Sequence, residues 1–565
     1  MKILQMHVDF IEYKPIKKEI AGAEEAAAKE VRKEDLVVLF TAVERGDDGA
    51  MAQRAVREAK EFLSKLGTNR LMVYPFAHLS QDLARPADAL PVLLEMEKEG
   101  RTLGLEVSRA PFGWNKALQV KVKGHPLAEM SRSYSQGPSA AVAPAPRPRR
   151  ELSENEAMAR LKRSDFGNLS DSDHRVIGER QDLFSFQEVS SGMVYWHDKG
   201  LRLRNILVDF LRVELAKGGY VEVSTPTLAN TALWRVSGHS EHYKENMFLT
   251  MLGDEELGLK PMNCPSTFLI YKSRRWSFRD LPVRYATFDA LFRNELSGVA
   301  SGLFRVKVLQ QDDAHIICTE DQAQAELGEM LGLMERVYGV FSLEYKVKIS
   351  TRPDESMGTP EEWERATKTL IGAVKAKGWA YEVKEKEGNF YAPKIDVDIK
   401  DSLGREWQCA TFQVDLQMPK RFRLSYTGSD GKEHTPVVLH RTILGSLERF
   451  IGIMLEHYKG ALPVWLSPVQ VRVIPLSDEN LDYAHSVLQS LKDAGIRGEG
   501  DFDSGTMGAK IRNAQLQKVP YMLVVGKKEQ ESGTVAVRTR AGEQRAGVSL
   551  GDFVSEMKEK AASFQ

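Results

Sequence analysis

The chain is poor in cysteine: Cys264, Cys318 and Cys409 are the only three in 565 residues. An odd, widely spaced set argues against a disulfide framework and for a reducing compartment. Long apolar runs are also missing. No stretch of about 18 apolar residues occurs, so no membrane span is expected. The opening MKILQMHVDFIEYKPIKKEI scatters charges through its apolar positions and does not read as a signal peptide. Nor is there a surplus of one charge. The 78 basic and 79 acidic residues leave a net charge of −1, so the chain is no bulk polycation. Any nucleic-acid binding must come from local basic surface or specific pockets. A soluble cytoplasmic protein of three or four domains is expected.

What is present divides into segments. Residues 1–132 read as a compact α/β unit. Its strands fall at Ile3–Phe10, Leu36–Val43, Arg70–Tyr74, Leu105–Ser108 and Ala117–Val122, with helices at Ala50–Leu66 and Ala87–Gly100. Residues 133–150, SYSQGPSAAVAPAPRPRR, alternate Ala and Pro and read as an extended linker. Residues 151–464 form a large domain that opens with a charged stretch, expected to be a short helix and a loop. Helices are predicted at Leu201–Lys217, Asp321–Tyr338, Pro360–Lys377 and Ser446–Tyr458. Strands there outnumber helices and many join as hairpins, which predicts an antiparallel sheet with helices packed on it. Residues 465–565 alternate short strands and helices, as in a small α/β binding module.

The segment from Arg284 to Cys318 reads as strand, exposed loop, strand. It carries Arg293 and Glu295 at one rim, Arg305 on the return, and Gln311, Asp312, Asp313 and His315 at its end. With Arg449, near the start of the 446–458 helix, and Gln413 in CATFQVD, these arginines form a candidate polyphosphate site. A guanidinium stays charged and binds two oxygens at once. The plainer alternative for each arginine is a surface ion pair. Cys264 in KPMNCPS, His315 in QDDAHII and His440 in VVLHRTI are too far apart for a zinc finger. Singly each reads as a core residue; together they are the ligand types of a three-ligand zinc site with an open position. In the first unit, His78, Lys116 and Glu129 lie in loop-like, aromatic-rich settings. A lysine there can orient water or polarise a carbonyl.

The stretches FRNELSG, GLFRVKVLQQDDAHIICTEDQ and HRTILGSLERFIGIMLEHYKGALPVWLSPVQV resemble the threonyl-tRNA synthetases, class II aminoacyl-tRNA synthetases, from about Asp173 to the C-terminus. Motif 1 matches the 201–226 helix and strand, motif 2 the segment with Arg293, and motif 3 GSLERF with Arg449. Residues 1–132, through VYPFAHLS, APFGWNKA and KGHPLAEMSR, resemble the archaeal-type editing domain of that family, related to D-aminoacyl-tRNA deacylases. The implied fold is multidomain α/β and α+β: an editing domain, a class II antiparallel sheet with flanking helices, and a C-terminal anticodon-binding domain. The implied activity joins threonine to tRNA(Thr) through threonyl-adenylate, with ATP and Mg²⁺, in a homodimer formed partly through motif 1.

Site roles follow from the same resemblance. Arg293 holds the α-phosphate and carboxylate, Glu295 the adenine end, and Arg305 and Arg449 the outer phosphates. Cys264, His315 and His440 hold one Zn²⁺ per subunit. Asp313 takes the threonine hydroxyl, with Tyr391, Gln311 and Gln413 shaping the pocket. His78, Lys116 and Glu129 hydrolyse mischarged seryl-tRNA. Glu529 and Arg538, in KKEQESGTVAVRTR, match anticodon contacts. Four positions depart from the pattern: Leu309 replaces an aromatic residue that stacks on adenine, Leu296 a proline, Lys307 an arginine and Asn115 a tyrosine.

Overall fold

The computed structural model describes residues 1–564 apart from 21, 27–28, 81, 124–127, 135–153, 155–157, 159–160, 166–168, 296–301 and 402–403, and apart from the side chains at 65 and 129. Nearly all of the expected linker, about half of the charged stretch that follows it up to 168, and Leu296 therefore lie outside the described residues. The chain divides into two compact units, Met1–Glu151 and Leu152–Gln565.

The first unit is a six-stranded mixed sheet. Its order is Glu106–Arg109, Arg70–Pro75, Val31–Ala42, Lys2–Lys18 and Trp114–Val122, with Glu129–Ser133 also paired to Lys2–Lys18. Side chains alternate across the sheet as period 2 requires. Val37 and Leu39 pack beneath the helices Gly49–Leu66 and Pro86–Thr102, while Leu36, Val38 and Phe40 form a second core with Ile11, Met72 and Tyr74. The first strand runs to Lys18, well past the expected Phe10, because its second half pairs with Trp114–Val122.

The second unit is built on an eight-stranded sheet. Its order is Tyr381–Lys384, Tyr345–Ser350, Lys394–Lys400, Glu406–Asp415, Val437–Thr442, Asp313–Cys318, Val283–Thr287 and Val221–Glu222. All pairs are antiparallel except the outermost one at each edge. Ala314, Ile316, Leu439, Phe412 and Ile395 face the helices Ala323–Val340, Pro360–Ala376 and Leu447–His457 in one large core. The opposite face carries the polar residues described below. The Arg284–Cys318 hairpin is split rather than continuous. Val283–Thr287 and Asp313–Cys318 belong to the large sheet, but Ala290–Phe292 and Val308–Gln310 form a separate two-stranded ladder, and Gly302–Phe304 is a 3₁₀ turn.

The C-terminal sheet has its own core around Val473, Leu523, Val535 and Phe553, with strand order Gly498–Gly500, Val471–Pro475, Tyr521–Val525, Thr534–Thr539 and Gln544–Ser549. The last strand and the short helix Lys527–Ser532 were not expected from the sequence. Among the described residues no helix is long and apolar enough to cross a membrane.

The helix Leu447–His457 is entered through a turn that demands glycine. Ser446 caps it by accepting from the Arg449 N–H at 3.1 Å. Gly445 has φ +73°, and a Cβ there would lie 3.0 Å from the Cys409 carbonyl oxygen. Gly445→Ala should therefore cost about 1–2 kcal/mol, the strain of a left-handed non-glycine residue. It is read as a lower urea midpoint for the second unit; an unchanged midpoint would reject this account of the turn.

Candidate active site

One row of cross-strand neighbours crosses five strands of the large sheet. Tyr285 pairs with His315, His315 with His440, His440 with Gln413, and Gln413 with Lys394. Directly paired residues share a face, so register alone sets these side chains side by side. Residues two positions away share that face too, which adds Asp313 and Thr411. All of these but Tyr285 floor a cavity of about 290 Å³, also lined by Cys264, Arg293, Glu295, Arg305, Leu309, Gln311, Tyr391, Arg441 and Arg449. Every residue expected from the sequence to bind metal, ATP or threonine therefore lines this one cavity.

At one end, the ligand atoms of Cys264, His315 and His440 lie within 4.8 Å of one another. Cys264 begins the helix Cys264–Tyr271, and the two histidine rings meet edge to face at 4.9 Å. His440 Nε2 bonds Asp415 Oδ2 at 2.9 Å, and Asp415 Oδ1 accepts the N–H groups of Gln417 and Met418 at 2.8 and 2.9 Å. Asp415 thus fixes the His440 ring and leaves Nδ1 outside this bond, the usual way a histidine ligand is oriented. His315 Nδ1 is buried with no hydrogen-bond partner. Burial pushes the Cys264 thiol up, with Asp313 and Asp415 adding to it, and holds His315 well below its ordinary value. A soft divalent cation reverses both costs, since it takes a thiolate and neutral imidazoles. The donor set fits zinc.

Asp313 stands beside this trio. Burial raises its carboxyl to about 6, against the hydrogen bond donated by Asn263 Nδ2 at 3.1 Å. The Tyr391 hydroxyl donates to Gln413 Oε1 at 2.8 Å, closing the wall of the pocket.

Three guanidinium groups face the other end. Arg449 Nε donates to the Phe304 carbonyl at 3.0 Å and Nη1 to that of Gln408 at 3.1 Å. The Gln408 carbonyl is available because the Lys394–Lys400 and Glu406–Asp415 ladder slips register between Val397 and Asp398, leaving Cys409 as a bulge. Burial depresses the Arg449 guanidinium, and the nearby charges of Arg293 and Arg305 add to the effect. Arg305 pairs with Glu295 at 2.8 Å, while among the described residues the Arg293 side chain makes long contacts to the Pro261 carbonyl and the Met262 sulfur. Mutually repelling cations in a partly buried cavity match a polyanion. Leu309 pairs with Leu291 and presents an apolar wall.

The sequence reading missed Lys394, Asn263 and Asp415. Asp415 lies two residues after Gln413 and Lys394 three after Tyr391, so strand alternation was the signal available for Asp415. Nothing local marked Asn263.

The first unit holds a separate cavity of about 500 Å³, lined by Tyr74, Phe76, His78, Phe112, Trp114, Asn115 and Lys116 among others. Lys116 Nζ donates to the carbonyls of Pro111 and Trp114 at 2.9 and 3.1 Å and lies 5.1 Å from the Tyr74 ring. Burial lowers its amine to about 8, opposed by the charge of Glu24. Glu129 lies on the strand Glu129–Ser133. It pairs with Met6, whereas Lys116 pairs with Pro15 on the same strand, about 30 Å further along at ~3.3 Å per residue. Its side chain lies outside the described residues. His78 and Lys116 thus line one cavity.

Glu529 lies on the helix Lys527–Ser532, where its carboxylate accepts the Gly526 N–H at 3.1 Å and caps its own helix. Arg538 lies on the neighbouring strand, opposite Met522, with Nε buried and unbonded.

Comparison with known proteins agrees with this geometry. Residues 1–134 match a family described as the archaea-specific editing domain of threonyl-tRNA synthetase, 248–458 the tRNA synthetase class II core domain (G, H, P, S and T), and 470–560 the anticodon binding domain. The threonine–tRNA ligases of Caldanaerobacter subterraneus subsp. tengcongensis and Acetivibrio thermocellus are each 49% identical, over 391 and 387 residues, or 69% and 68% of this chain. The chain spans 61% of the length of each of these curated relatives. The structure titled the RNA binding domain of threonyl-tRNA synthetase from Cryptosporidium parvum Iowa II superposes with a TM-score of 0.67 at 40% identity, covering 69% of this chain and 98% of that one. The chain belongs to the threonyl-tRNA synthetase family.

Proposed function

We propose that the chain is a threonine–tRNA ligase that also hydrolyses mischarged seryl-tRNA(Thr). Residues 1–132 would edit, 133–150 link, 151–464 catalyse and 465–565 bind the anticodon. The observation that carries the reading is the single cavity with a Cys–His–His trio at one end and three arginines at the other. One end suits an amino acid with a hydroxyl, the other a triphosphate.

In the first step a threonine carboxylate oxygen bonds to the α-phosphorus of ATP, and the bond to the bridging oxygen breaks to release pyrophosphate. Arg293 would hold the α-phosphate and the carboxylate as charge develops between them. Arg305 and Arg449 would take the outer phosphates, carried with Mg²⁺, and Glu295 would release Arg305 to contact the adenine end. In the second step a ribose hydroxyl of the tRNA terminus attacks the carbonyl carbon and AMP leaves. A zinc ion held by Cys264, His315 and His440 would supply coordination sites for the amino group and the hydroxyl of threonine. Asp313 would accept a hydrogen bond from that hydroxyl, while Gln311, Gln413 and Tyr391 would fill the space around the side chain.

The same chemistry explains a second site. Valine lacks the hydroxyl, and a pocket built to bond one rejects it strongly. Serine keeps the hydroxyl and lacks one methyl, worth only about 1–3 kcal/mol. Serine therefore passes, and its ester must be removed elsewhere. His78 and Lys116 in the first unit are suited to that hydrolysis.

The homodimer and the cytoplasmic setting are part of the proposal. The large sheet ends at the exposed two-residue strand Val221–Glu222, tied to the helix Asp198–Lys217 by the Arg212–Glu222 pair at 2.8 Å. Val213 and Val221 on these elements are exposed, as an edge awaiting a partner would be.

Threonine-dependent ATP–pyrophosphate exchange should be present, and Arg449→Ala should lower it about 10²–10³-fold, the usual loss for one electrostatic donor. No exchange with zinc supplied would reject the ligase reading. Cys264→Ser should lose one bound zinc per chain by metal analysis and lose exchange with it. Full zinc content in that variant would place the ion elsewhere. Lys116→Ala should leave exchange unchanged and let seryl-tRNA persist. The lysine charge disappears as pH rises through about 8. The Lys116-dependent part of the deacylation rate should therefore fall about tenfold from pH 7 to 9. A rise over that range would mean that the neutral amine acts as the base instead.

A further inference from the structure

His174 opens the helix His174–Arg180, and its ring is fully buried. Its Nε2 accepts the Leu303 N–H at 2.9 Å, so that nitrogen carries no proton. The proton sits on Nδ1, which donates to Glu456 Oε1 at 2.7 Å, and the His174 backbone N–H donates to the same oxygen at 3.1 Å. The other Glu456 oxygen accepts from Arg405. His174, Asp173 and Glu456 cluster as metal ligands might, but both ring nitrogens are bonded and the Asp173 carboxylate is taken by Arg175.

The ring holds one short segment in place. It packs on Phe304 at 4.2 Å, and Phe304 stacks on Trp407 at 4.3 Å. Leu303 and Phe304 end the 3₁₀ turn, and the next residue is Arg305. The Phe304 carbonyl accepts Arg449 Nε. Glu456 lies two turns beyond Arg449 on its helix. Thus the His174 ring joins the two elements that carry Arg305 and Arg449. Gly302 shows how tight the seat is: its φ is +53°, and a Cβ there would fall 2.2 Å from His174 Nε2.

We propose that His174 is a positioning residue for the triphosphate: it never reaches the cavity, but through Leu303 and Phe304 it sets the placement of Arg449 and Arg305. The inference rests on the ligase reading for what the arginines bind. It goes beyond that reading in assigning a buried residue from outside the three motifs a share in ATP recognition. The threonine end, held by the sheet row and the Cys–His–His trio, does not depend on it.

The test is His174→Ala, measured by threonine-dependent exchange with each substrate varied in turn. The KM for ATP should rise about tenfold, the KM for threonine should stay within about twofold, and zinc content should be unchanged. His174→Gln, whose carbonyl can accept from Leu303 and whose amide can donate to Glu456, should recover most of the loss. Gly302→Ala, which drives a methyl at the ring, should reproduce the ATP-selective defect without changing His174. In the pair His174→Ala with Arg449→Ala, the double variant should lose less ATP affinity than the product of the two single losses, because His174 acts in part through Arg449. Losses that multiply, or equal rises in both KM values, would overturn the proposal. Direct Mg-ATP titration, followed by the fluorescence of Trp407 against Phe304, separates the two readings. An ATP affinity that falls in His174→Ala while the wild type shows no exchange would reject the ligase and keep the positioning role.

Discussion

The site depends on one buried carboxylate. Asp312 faces away from the cavity while its neighbours Gln311 and Asp313 face into it. Its oxygens accept from Arg441 Nη1 at 3.1 Å, Thr442 Oγ1 at 2.9 Å, and the Ile443 and Leu444 N–H groups at 2.8 and 2.9 Å. Burial pushes this carboxyl up, and those donors oppose the shift. The residues that donate are the end of the Val437–Thr442 strand and the turn that follows. A charge in this place with its donors removed would be costly, so the turn has little freedom. Gly445, the Ser446 cap and Arg449 follow directly from that turn.

The sheet provides the other half of the geometry. His315 and His440 are direct cross-strand partners, and Gln413 and Lys394 continue the same row. A shift of one residue in any of these strands would turn its members into the helix-packed core. The apolar face, with Ile316, Leu439 and Phe412 all buried, forbids that shift. Packing on one face therefore sets the chemistry on the other. The ladder thus fixes His315, His440 and Gln413, while Arg305 and Arg449 lie outside it, beside the Gly302–Phe304 turn and on the Leu447–His457 helix.

Much of this was legible in the sequence. Alternation and helical spacing located most strands and helices, because burial on one face imposes those periods. The helix entered at Ser446 was marked by its cap and by six apolar residues at i, i+3 and i+4 spacing. The residues expected to bind metal, ATP and threonine were legible through motif resemblance, and one cavity brings them together. Other features were not. The helix that carries Glu529 has six residues, too few to show a period. The pairing of Glu129 with Met6 and of Lys116 with Pro15 on one long strand was not legible either. The Cys409 bulge, which turns the Gln408 carbonyl to Arg449, leaves no local mark in CATFQVD.

The sequence by itself determined the element types, the apolar faces and the kinds of side chain available for chemistry. These follow from backbone propensity, period and residue type, all of them local. Only the tertiary structure decided which donors share an atom. That Asp312 gathers Arg441 through Leu444, that Asp415 orients His440, and that a histidine at 174 reaches Leu303 and Glu456 all depend on partners up to 282 residues apart. Such contacts arise from sheet register and core packing, which pair residues by place in the fold and not by spacing in the chain.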